Sequence, residues 1–400
     1  MKTRVVVSGA GVISPIGGGL PEFTNALFAG TSGFGVSSFL ENAIVAGEVR
    51  DFQPQQWLGT KGIRTLDRSS RLLCVATHLA LENSNILQAG EQGDPDIGLV
   101  CGTLFGSVHS ITAFDWSGLV DGTSYVNPME FPNTVINSPA GQAAIKYRLG
   151  GVNSTICAGL CSGLYAIQYA AESLRFGRAK TVLAGGVEEL CEETIRGFQQ
   201  MGLHAGSNES LPFDPSSGGM IPGEGSSLLV LETSESAAAR DVAPIMEIAG
   251  FGSCHSAGAM GEYQLLGGSA TAAIEEALQD ARVTAAEIDC IVASASGNRP
   301  GDVMEERALR NVFNGRLKDI PVCAPKAALG ETMGASGAFA ALIAGLSLQA
   351  QLMPPTAGFR AANSNLKLSS QPQPFKGNYA LVNAFSCDGN NAALVVKRWH

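Results

Sequence analysis

Histidine and charged side chains are scarce in this chain, and each scarcity argues against a class of protein. Five histidines among 400 residues offer few metal ligands or proton carriers, and the nine cysteines lack the paired spacing that binds zinc. The sequence therefore predicts no metal site. Because the cysteines are scattered in apolar contexts, we interpret them as reduced buried thiols of a cytoplasmic protein.

The charge that is present is mostly negative. Charged residues make up 16% of the chain, with 36 acidic against 26 basic side chains and a net charge of -10. Such a surface is unsuited to a non-specific grip on nucleic acid or on an anionic membrane, so we expect neither partner. Residues 332–359 carry no charge, but their many small side chains and a Pro354-Pro355 pair favour a buried helix over a membrane span.

Short runs of β-branched residues bounded by glycine recur in the two halves of the chain, as buried parallel strands do. The matching pairs are 4–14 with 244–253, 97–103 with 288–297, 181–188 with 379–386, and 226–232 with 391–399. We therefore predict two duplicated α/β halves, 1–240 and 241–400. Helices rich in small residues lie between the later strands and can be held between two sheets. The expected fold is a five-layered αβαβα sandwich.

Two local features are interpreted without a ligand. Gly9 and Gly11 do not complete a dinucleotide-binding loop, because Ser14 stands where its last glycine is needed, so we assign them to a tight strand-to-turn geometry. Phe114 and Trp116 are expected in a long loop.

Four motifs follow one another along the chain. They are the segment that begins AGQAAIKYRLGG at Ala140, LPFDPSSGGMIPGEGSSLLVLE at 211–232, GDVMEERAL at 301–309, and PKAALGETMGASGA at 325–338. In this order they resemble the motifs of the β-ketoacyl synthases, condensing enzymes that form carbon–carbon bonds, over nearly the whole chain. The resemblance implies the thiolase-like fold. It also implies no cofactor, because family substrates are carried on the phosphopantetheine of an acyl carrier protein.

The catalytic positions of that family are not kept. At the nucleophilic cysteine of the C-x-S-G motif this chain has Leu160, and at the two histidine positions it has Ser294 and Glu331. The gating phenylalanine of the C-terminal loop becomes Cys387, and two glycines of that loop are lost; Lys326 is retained. Leucine cannot carry an acyl group, and a carboxylate at the second histidine position would repel the malonyl carboxylate. No catalytic residue set is intact.

Further residues are candidates for assembly roles. Met129 and Glu130 match the place where family homodimers present a residue to the partner's acyl tunnel, with an ordinary interface loop as the alternative. Four basic residues recur at helical spacing, namely Lys61, Arg64, Arg68 and Arg71. By resemblance this stripe would dock the acidic acyl carrier protein, with a solvated helix face as the alternative. Without its catalytic neighbours, Lys326 is interpreted as paired with an acid such as Glu305.

In lacking the catalytic residues, this chain resembles the chain-length factors, the inactive partners of type II polyketide ketosynthases. Factors of aromatic systems usually place glutamine at the cysteine position, so Leu160 is more similar to the factors of polyene systems, including aryl polyene pigments. We predict a noncatalytic subunit that forms a heterodimer with a ketosynthase carrying an intact Cys-His-His set and shapes its acyl tunnel in polyketide, polyene or fatty-acid-type elongation. Two alternatives stay open: a condensing enzyme or thioesterase that uses Cys161, and a homodimeric carrier-binding scaffold.

Overall fold

A computed structural model describes residues 3–40, 43–86, 94–258, 261–360 and 366–400. The strands are β1 (Val5–Ser14), β2 (Gly17–Gly18), β3 (Phe34–Val36), β4 (Val45–Gly47), β5 (Ile97–Gly102), β6 (Asn153–Ile156), β7 (Thr181–Glu188), β8 (Gly225–Thr233), β9 (Met246–His255), β10 (Cys290–Val292), β11 (Val322–Cys323), β12 (Leu352–Met353), β13 (Gln373–Pro374), β14 (Tyr379–Phe385) and β15 (Asn390–Arg398). The helices are α1 (Leu20–Phe28), α2 (Gln55–Leu58), α3 (Arg68–Ser84), α4 (Val108–Val120), α5 (Ser138–Tyr147), α6 (Ser162–Arg175), α7 (Glu192–Gln200), α8 (Ser234–Ala239), α9 (Gly268–Ala281), α10 (Arg299–Phe313), α11 (Lys326–Leu329) and α12 (Ser336–Ala350).

The strand order reveals the duplication. Ten strands lie on one path, β11-β10-β14-β15-β9-β1-β8-β7-β5-β6, which reads symmetrically outward from its middle. In each half, three neighbouring strands are parallel and the two nearest the middle run antiparallel. The halves meet where Val5–Val7 of β1 pairs with Met246–Ile248 of β9. The strands that we matched between the two halves occupy equivalent places in this order, so the predicted duplication is confirmed. The division at residue 240 stays a prediction.

Helices complete the layers. Between the two sheets, α6 packs on β5, β7 and β15, while α12 packs on β8, β14 and β15. The outer faces carry α3 and α5 on one sheet and α9 and α10 on the other. The uncharged segment is the core helix that we expected, since the span Met333–Ala350 is apolar and long enough to cross a membrane but is 89% buried within the protein. The five-layered thiolase-like fold is confirmed.

The glycines of β1 serve helix packing. Gly11 lies inside the strand, and a Cβ atom at this position would come 1.9 Å from the carbonyl oxygen of Ala76 in α3. The assignment of Gly9 and Gly11 to a strand-to-turn geometry was therefore wrong: they let α3 approach the sheet. The expected loop around Phe114 and Trp116 was also wrong, because both residues belong to α4.

Candidate functional site

Residues 157–161, between β6 and α6, form the segment that we call the elbow, and it holds Leu160 at the position of the family's nucleophile. Cys161 is the residue that precedes the first turn of α6, so Leu160 lies at the N-terminus of this helix. Its side chain is 5% exposed. It joins an apolar cluster whose buried members also include Ala46, Leu190, Ile195, Phe198, Met220 and Met333. The side chain at the former nucleophile position is thus part of a hydrophobic core.

Both peptide groups of Leu160 are satisfied inside the chain. Its N–H donates to the hydroxyl of Ser386 at 3.1 Å, and its carbonyl oxygen accepts from the hydroxyl of Ser336 at 3.3 Å. In an active condensing enzyme the amide at this position would be an oxyanion donor, available to a thioester carbonyl. Here that donor already has an acceptor.

A small cavity adjoins Leu160 and brings together Ser294, Glu331 and the retained Lys326, whereas the predicted gate position Cys387 is not part of its lining. Its lining residues are Leu160, Tyr263, Ser294, Ala295, Ser296, Gly301, Asp302, Glu305, Lys326, Glu331 and Phe385. It leaves about 10 Å³ for the centres of water-sized molecules. A single water needs roughly 10–15 Å³ by this measure, so the cavity has no space for an acyl thioester.

Ser294 links the cavity wall to the C-terminal loop. Its N–H donates to Glu305 at 2.9 Å, and its hydroxyl oxygen accepts the N–H of Phe385 at 2.9 Å. The Asn383 amide donates to the same Glu305 oxygen at 2.8 Å. Burial raises the pKa of Glu305, although the Asn383 and Ser294 hydrogen bonds oppose that rise. The serine acts here as a structural tie.

Lys326 and Glu331 form a buried ion pair. The ammonium Nζ lies 2.7 Å from Glu331 Oε2, and Oε1 accepts the N–H of Met333 at 3.0 Å. The predicted pairing of Lys326 with a nearby acid is confirmed, but the acid is Glu331, and the choice of Glu305 was wrong. Gly330 turns the chain directly after α11, which brings the Glu331 carboxylate back to the lysine, while Glu305 is held by Ser294 and Asn383.

The cysteines near the elbow are not activated. Cys161 is fully buried, with its Sγ 3.0 Å from the carbonyl oxygen of Ala384, and burial raises the pKa of this thiol far above its ordinary value. Cys157 is exposed, but partial burial of its thiol and the nearby Glu188 raise its pKa as well. Cys387 is half-buried with a pKa raised by desolvation. A raised pKa leaves less of the nucleophilic thiolate at neutral pH.

The basic stripe that was predicted does not exist as one helix face. The helix α3 begins only at Arg68, because the Asp67 carboxylate caps it by accepting the N–H of Ser70 at 2.8 Å. Lys61 and Arg64 lie before this cap and are exposed. Arg68 turns inward, where its Nε donates to the buried Glu224 carboxylate at 2.7 Å.

Arg71 is likewise engaged by the chain. It is half-buried, and one of its terminal guanidinium nitrogens donates to the carbonyl oxygen of Ile63 at 3.4 Å. The spacing of the four basic residues suggested one stripe, but the cap at Asp67 interrupts the helical period between them. Of the four, Lys61 and Arg64 are therefore the two whose side chains are exposed.

Met129 and Glu130 lie in a part of the chain that exposes many large apolar side chains. Met129 is 69% exposed and precedes the 3-10 helix Phe131–Thr134. Other large exposed apolar side chains on the same run of the chain are Trp116, Leu119, Val120, Tyr125, Phe131 and Ile145. Contacts link α4 to this 3-10 helix, the 3-10 helix to α5, α5 to β6, and β6 to α6. Together these elements form the face that we call the β6 face.

Sequence reasoning missed two residues of the site. Tyr263 lines the cavity, and Ser386 takes the Leu160 amide. The signal for Ser386 was present, since it stands at one of the two lost glycines of the C-terminal loop. No sequence pattern near Tyr263 indicates that it lines the cavity, because the other lining residues are distant from it in sequence.

Comparisons with known proteins agree with this geometry. A model of the β-ketoacyl synthase N-terminal domain matches residues 2–237, and one of the C-terminal domain matches residues 245–360. The 3-oxoacyl-[acyl-carrier-protein] synthase 2 of Coxiella burnetii is 30% identical over 412 residues, which cover 99% of each chain. The enzyme of the same name from Vibrio cholerae is 30% identical over 414 residues with the same coverage.

Solved structures give the same result. A structure described as the ishigamide ketosynthase/chain length factor has a TM-score of 0.93 and 27% identity, with all of both chains covered. The domain matches, the full-length relatives and the solved structure thus agree on the fold, and both of these full-length relatives are named as synthases. This chain belongs to the β-ketoacyl synthase family, the condensing enzymes of fatty acid and polyketide synthesis.

Proposed function

We propose that this chain is a noncatalytic chain-length factor that forms a heterodimer with an active ketosynthase and shapes its acyl tunnel. The observation that carries the proposal is Leu160, a core side chain at the N-terminus of α6 where the family has its nucleophile. Around it, the positions of both catalytic histidines are taken by the structural tie Ser294 and by Glu331, which is paired with Lys326. Each of these side chains is held by packing, a hydrogen bond or an ion pair, and none of them can perform the chemistry of the residue that it replaces.

The β6 face supports the choice of partner. In the described part of the chain, β6 pairs with β5 alone, so its outer edge is open to another strand. Such an edge beside a large exposed apolar surface is unfavourable in a lone soluble chain and is typical of a surface that another protein covers. Family dimers bring acyl tunnels to their shared interface, so a divergent copy can change tunnel depth without changing the chemistry. The similarity to the ketosynthase/chain length factor structure favours a ketosynthase as the protein that covers the β6 face.

The alternative in which Cys161 acts as nucleophile has less support. A thiol that donates to a buried carbonyl and lies outside the cavity cannot meet a thioester carbonyl without unpacking the core. The acyl groups of this system would instead be attached to the partner's cysteine. An acidic acyl carrier protein would meet Lys61 and Arg64, the two of the four predicted basic residues that are exposed. For the product we propose a polyene, including the aryl polyene type, because of Leu160.

Three parallel condensation assays test the proposal. Each uses malonyl and acyl carrier protein thioesters, with this chain alone, with the candidate ketosynthase alone, and with the two co-expressed. We expect turnover by the pair and none by this chain. Turnover by the isolated chain that disappears in Cys161→Ala would contradict the proposal. Size measurement of the co-expressed proteins should give a 1:1 complex, and a homodimer that excludes the ketosynthase would favour the scaffold alternative.

A further inference from the structure

Two side chains fill the C-terminal loop at places where the family has glycine. The family's N-S-F-G-F-G-G-T-N loop reads N-A-F-S-C-D-G-N-N over residues 383–391, so Ser386 and Asp388 stand at the two lost glycines. Glycines at these places leave both space and backbone freedom in a gating loop. Their replacement adds a hydroxyl and a carboxylate next to the elbow.

The hydroxyl of Ser386 takes the elbow amide. Its Oγ accepts the N–H of Leu160 at 3.1 Å, in a region where Leu160 is nearly fully buried. In an active condensing enzyme this N–H would instead donate to the carbonyl oxygen of a thioester. The serine oxygen and a substrate carbonyl oxygen therefore compete for the same donor.

The carboxylate of Asp388 fixes the turn that carries the serine. It accepts the N–H of Asn390 at 3.0 Å and the Asn390 side-chain amide at 3.1 Å, while the Ser386 N–H donates to the Asn390 carbonyl at 2.9 Å. The loop also lies in close contact with Gly159 of the elbow. At Gly159, with φ of +58°, an added Cβ would lie 2.1 Å from Asp388 Oδ2 and 2.5 Å from Ser386 Oγ.

Both ends of the loop are anchored. At its start, the Phe385 N–H donates to the hydroxyl of Ser294 at 2.9 Å. At its end, the Asn391 side-chain amide donates to the Ser256 hydroxyl at 3.0 Å and to the Cys254 carbonyl at 3.2 Å. These hydrogen bonds hold the loop at both ends and across its turn, so opening the loop would require them to break.

We propose that residues 385–391 form a built-in plug, in which the Ser386 hydroxyl occupies the carbonyl-oxygen position of the degenerate elbow and Asp388 holds it there. The inference rests on the proposed function in one respect, since a plug is tolerated only where the elbow has no substrate to bind. It adds that the elbow is closed to a thioester by its own loop, independently of the missing nucleophile.

Hydrogen–deuterium exchange at the Leu160 amide of the full-length chain tests the plug directly. Ser386→Ala removes the acceptor, and we expect this amide to exchange roughly fivefold faster while amides of β7 keep their rates. Ser336→Ala is the matched control, because it removes the hydrogen bond to the Leu160 carbonyl and leaves the N–H bond in place. Unchanged exchange at Leu160 in Ser386→Ala, or equal acceleration in β7, would overturn the proposal.

A chemical test uses a nucleophile placed at the elbow. In Leu160→Cys with Cys157→Ala, the smaller side chain leaves space that Leu160 fills in the native chain, and the introduced thiolate attacks an acyl-N-acetylcysteamine thioester. A new carbon–sulfur bond forms, the old one breaks, and the departing thiolate takes up a proton. Adding Ser386→Ala should raise this acyl transfer on the order of tenfold, because one oxyanion donor is freed, without changing alkylation by iodoacetamide, which needs no carbonyl site. An equal change in both reactions would contradict the plug.

The two proposals fail separately. Exchange at the Leu160 amide reports on the hydrogen bond itself, whether or not the chain condenses acyl groups. Condensation by the unsubstituted chain would overturn the proposed function, while the exchange result would still decide whether Ser386 holds the amide.

Discussion

The ammonium group of Lys326 lies 2.7 Å from a carboxylate oxygen of Glu331, and both side chains are almost fully buried. In this family the lysine supports a catalytic site, and the glutamate stands at a histidine position. Two buried charges each carry a desolvation cost, which their attraction offsets only while both are present. The pair thus turns a former catalytic corner into a packed polar contact of the core.

Removing one member of this pair should destabilise the protein more than removing both. Lys326→Met leaves Glu331 unpaired and is expected to cost about 3–5 kcal/mol of unfolding free energy, whereas Lys326→Met with Glu331→Leu should cost clearly less. Urea unfolding of the two variants, together with Glu331→Leu alone, completes a double-mutant cycle. A loss within about 0.5 kcal/mol for Lys326→Met would mean that the pair contributes nothing.

Thiol alkylation should separate the two cysteines of the elbow. In the native chain we expect iodoacetamide at pH 8 to modify Cys157, which is exposed, while Cys161 stays unmodified until the chain unfolds, because burial raises its pKa and blocks access. Peptide mapping after timed labelling gives both rates, and labelling in urea is the control. Native labelling of Cys161 at or above the rate of Cys157 would revive its candidacy as a nucleophile.

Much of the fold was predictable because its signals are local. The buried strands announce themselves as β-branched runs, and β1 and β9 occupy equivalent places in the two halves, as their sequence match predicts. The pairing of Lys326 was not predictable from the sequence, since Glu331 follows it by five residues whereas Glu305 belongs to α10, and only the folded chain, with its turn at Gly330, decides between them. The inward turn of Arg68 depends on Glu224, which is distant in sequence.

A negative charge on the β6 face should disrupt the heterodimer. Ile145 is 75% exposed on α5, and Ile145→Glu would bury a carboxylate beneath the partner, which we expect to weaken association by roughly tenfold or more. Leu266→Glu is the matched control, because Leu266 is 78% exposed in the other half of the chain. Titration of each variant with the tagged ketosynthase measures the two affinities that are compared. Equal weakening by both variants would place the interface elsewhere.

Product length should respond to Met129 and Glu130. If they cap the partner's tunnel, Met129→Ala should lengthen the products and Met129→Trp should shorten them, while turnover by the partner stays within about twofold because its catalytic residues are untouched. Product profiling of the reconstituted pair gives both quantities. Leu119→Ala, on the same face, is the control for a general disturbance of the interface. Identical profiles for several exchanges at both positions would leave them as ordinary interface residues.

Restoring the nucleophile alone should not restore catalysis. Leu160→Cys would still lack both histidines and would still face the Glu331 carboxylate, which remains paired with Lys326. The variant carrying Leu160→Cys, Ser294→His and Glu331→His recovers the residue types, but the larger side chain at Ser294 must displace its ties to Glu305 and Phe385.

Condensation by the single variant, measured without the partner, is therefore expected to stay at background. Even the triple variant should remain below a native ketosynthase by on the order of 10³-fold or more, since catalytic groups that act as a unit contribute little when their support is missing. Circular dichroism and size measurement confirm that each variant is folded before its rate is interpreted. Substantial turnover by Leu160→Cys alone would show that the elbow kept its catalytic geometry, contrary to the packing of Ser294, Glu331 and Ser386 around it.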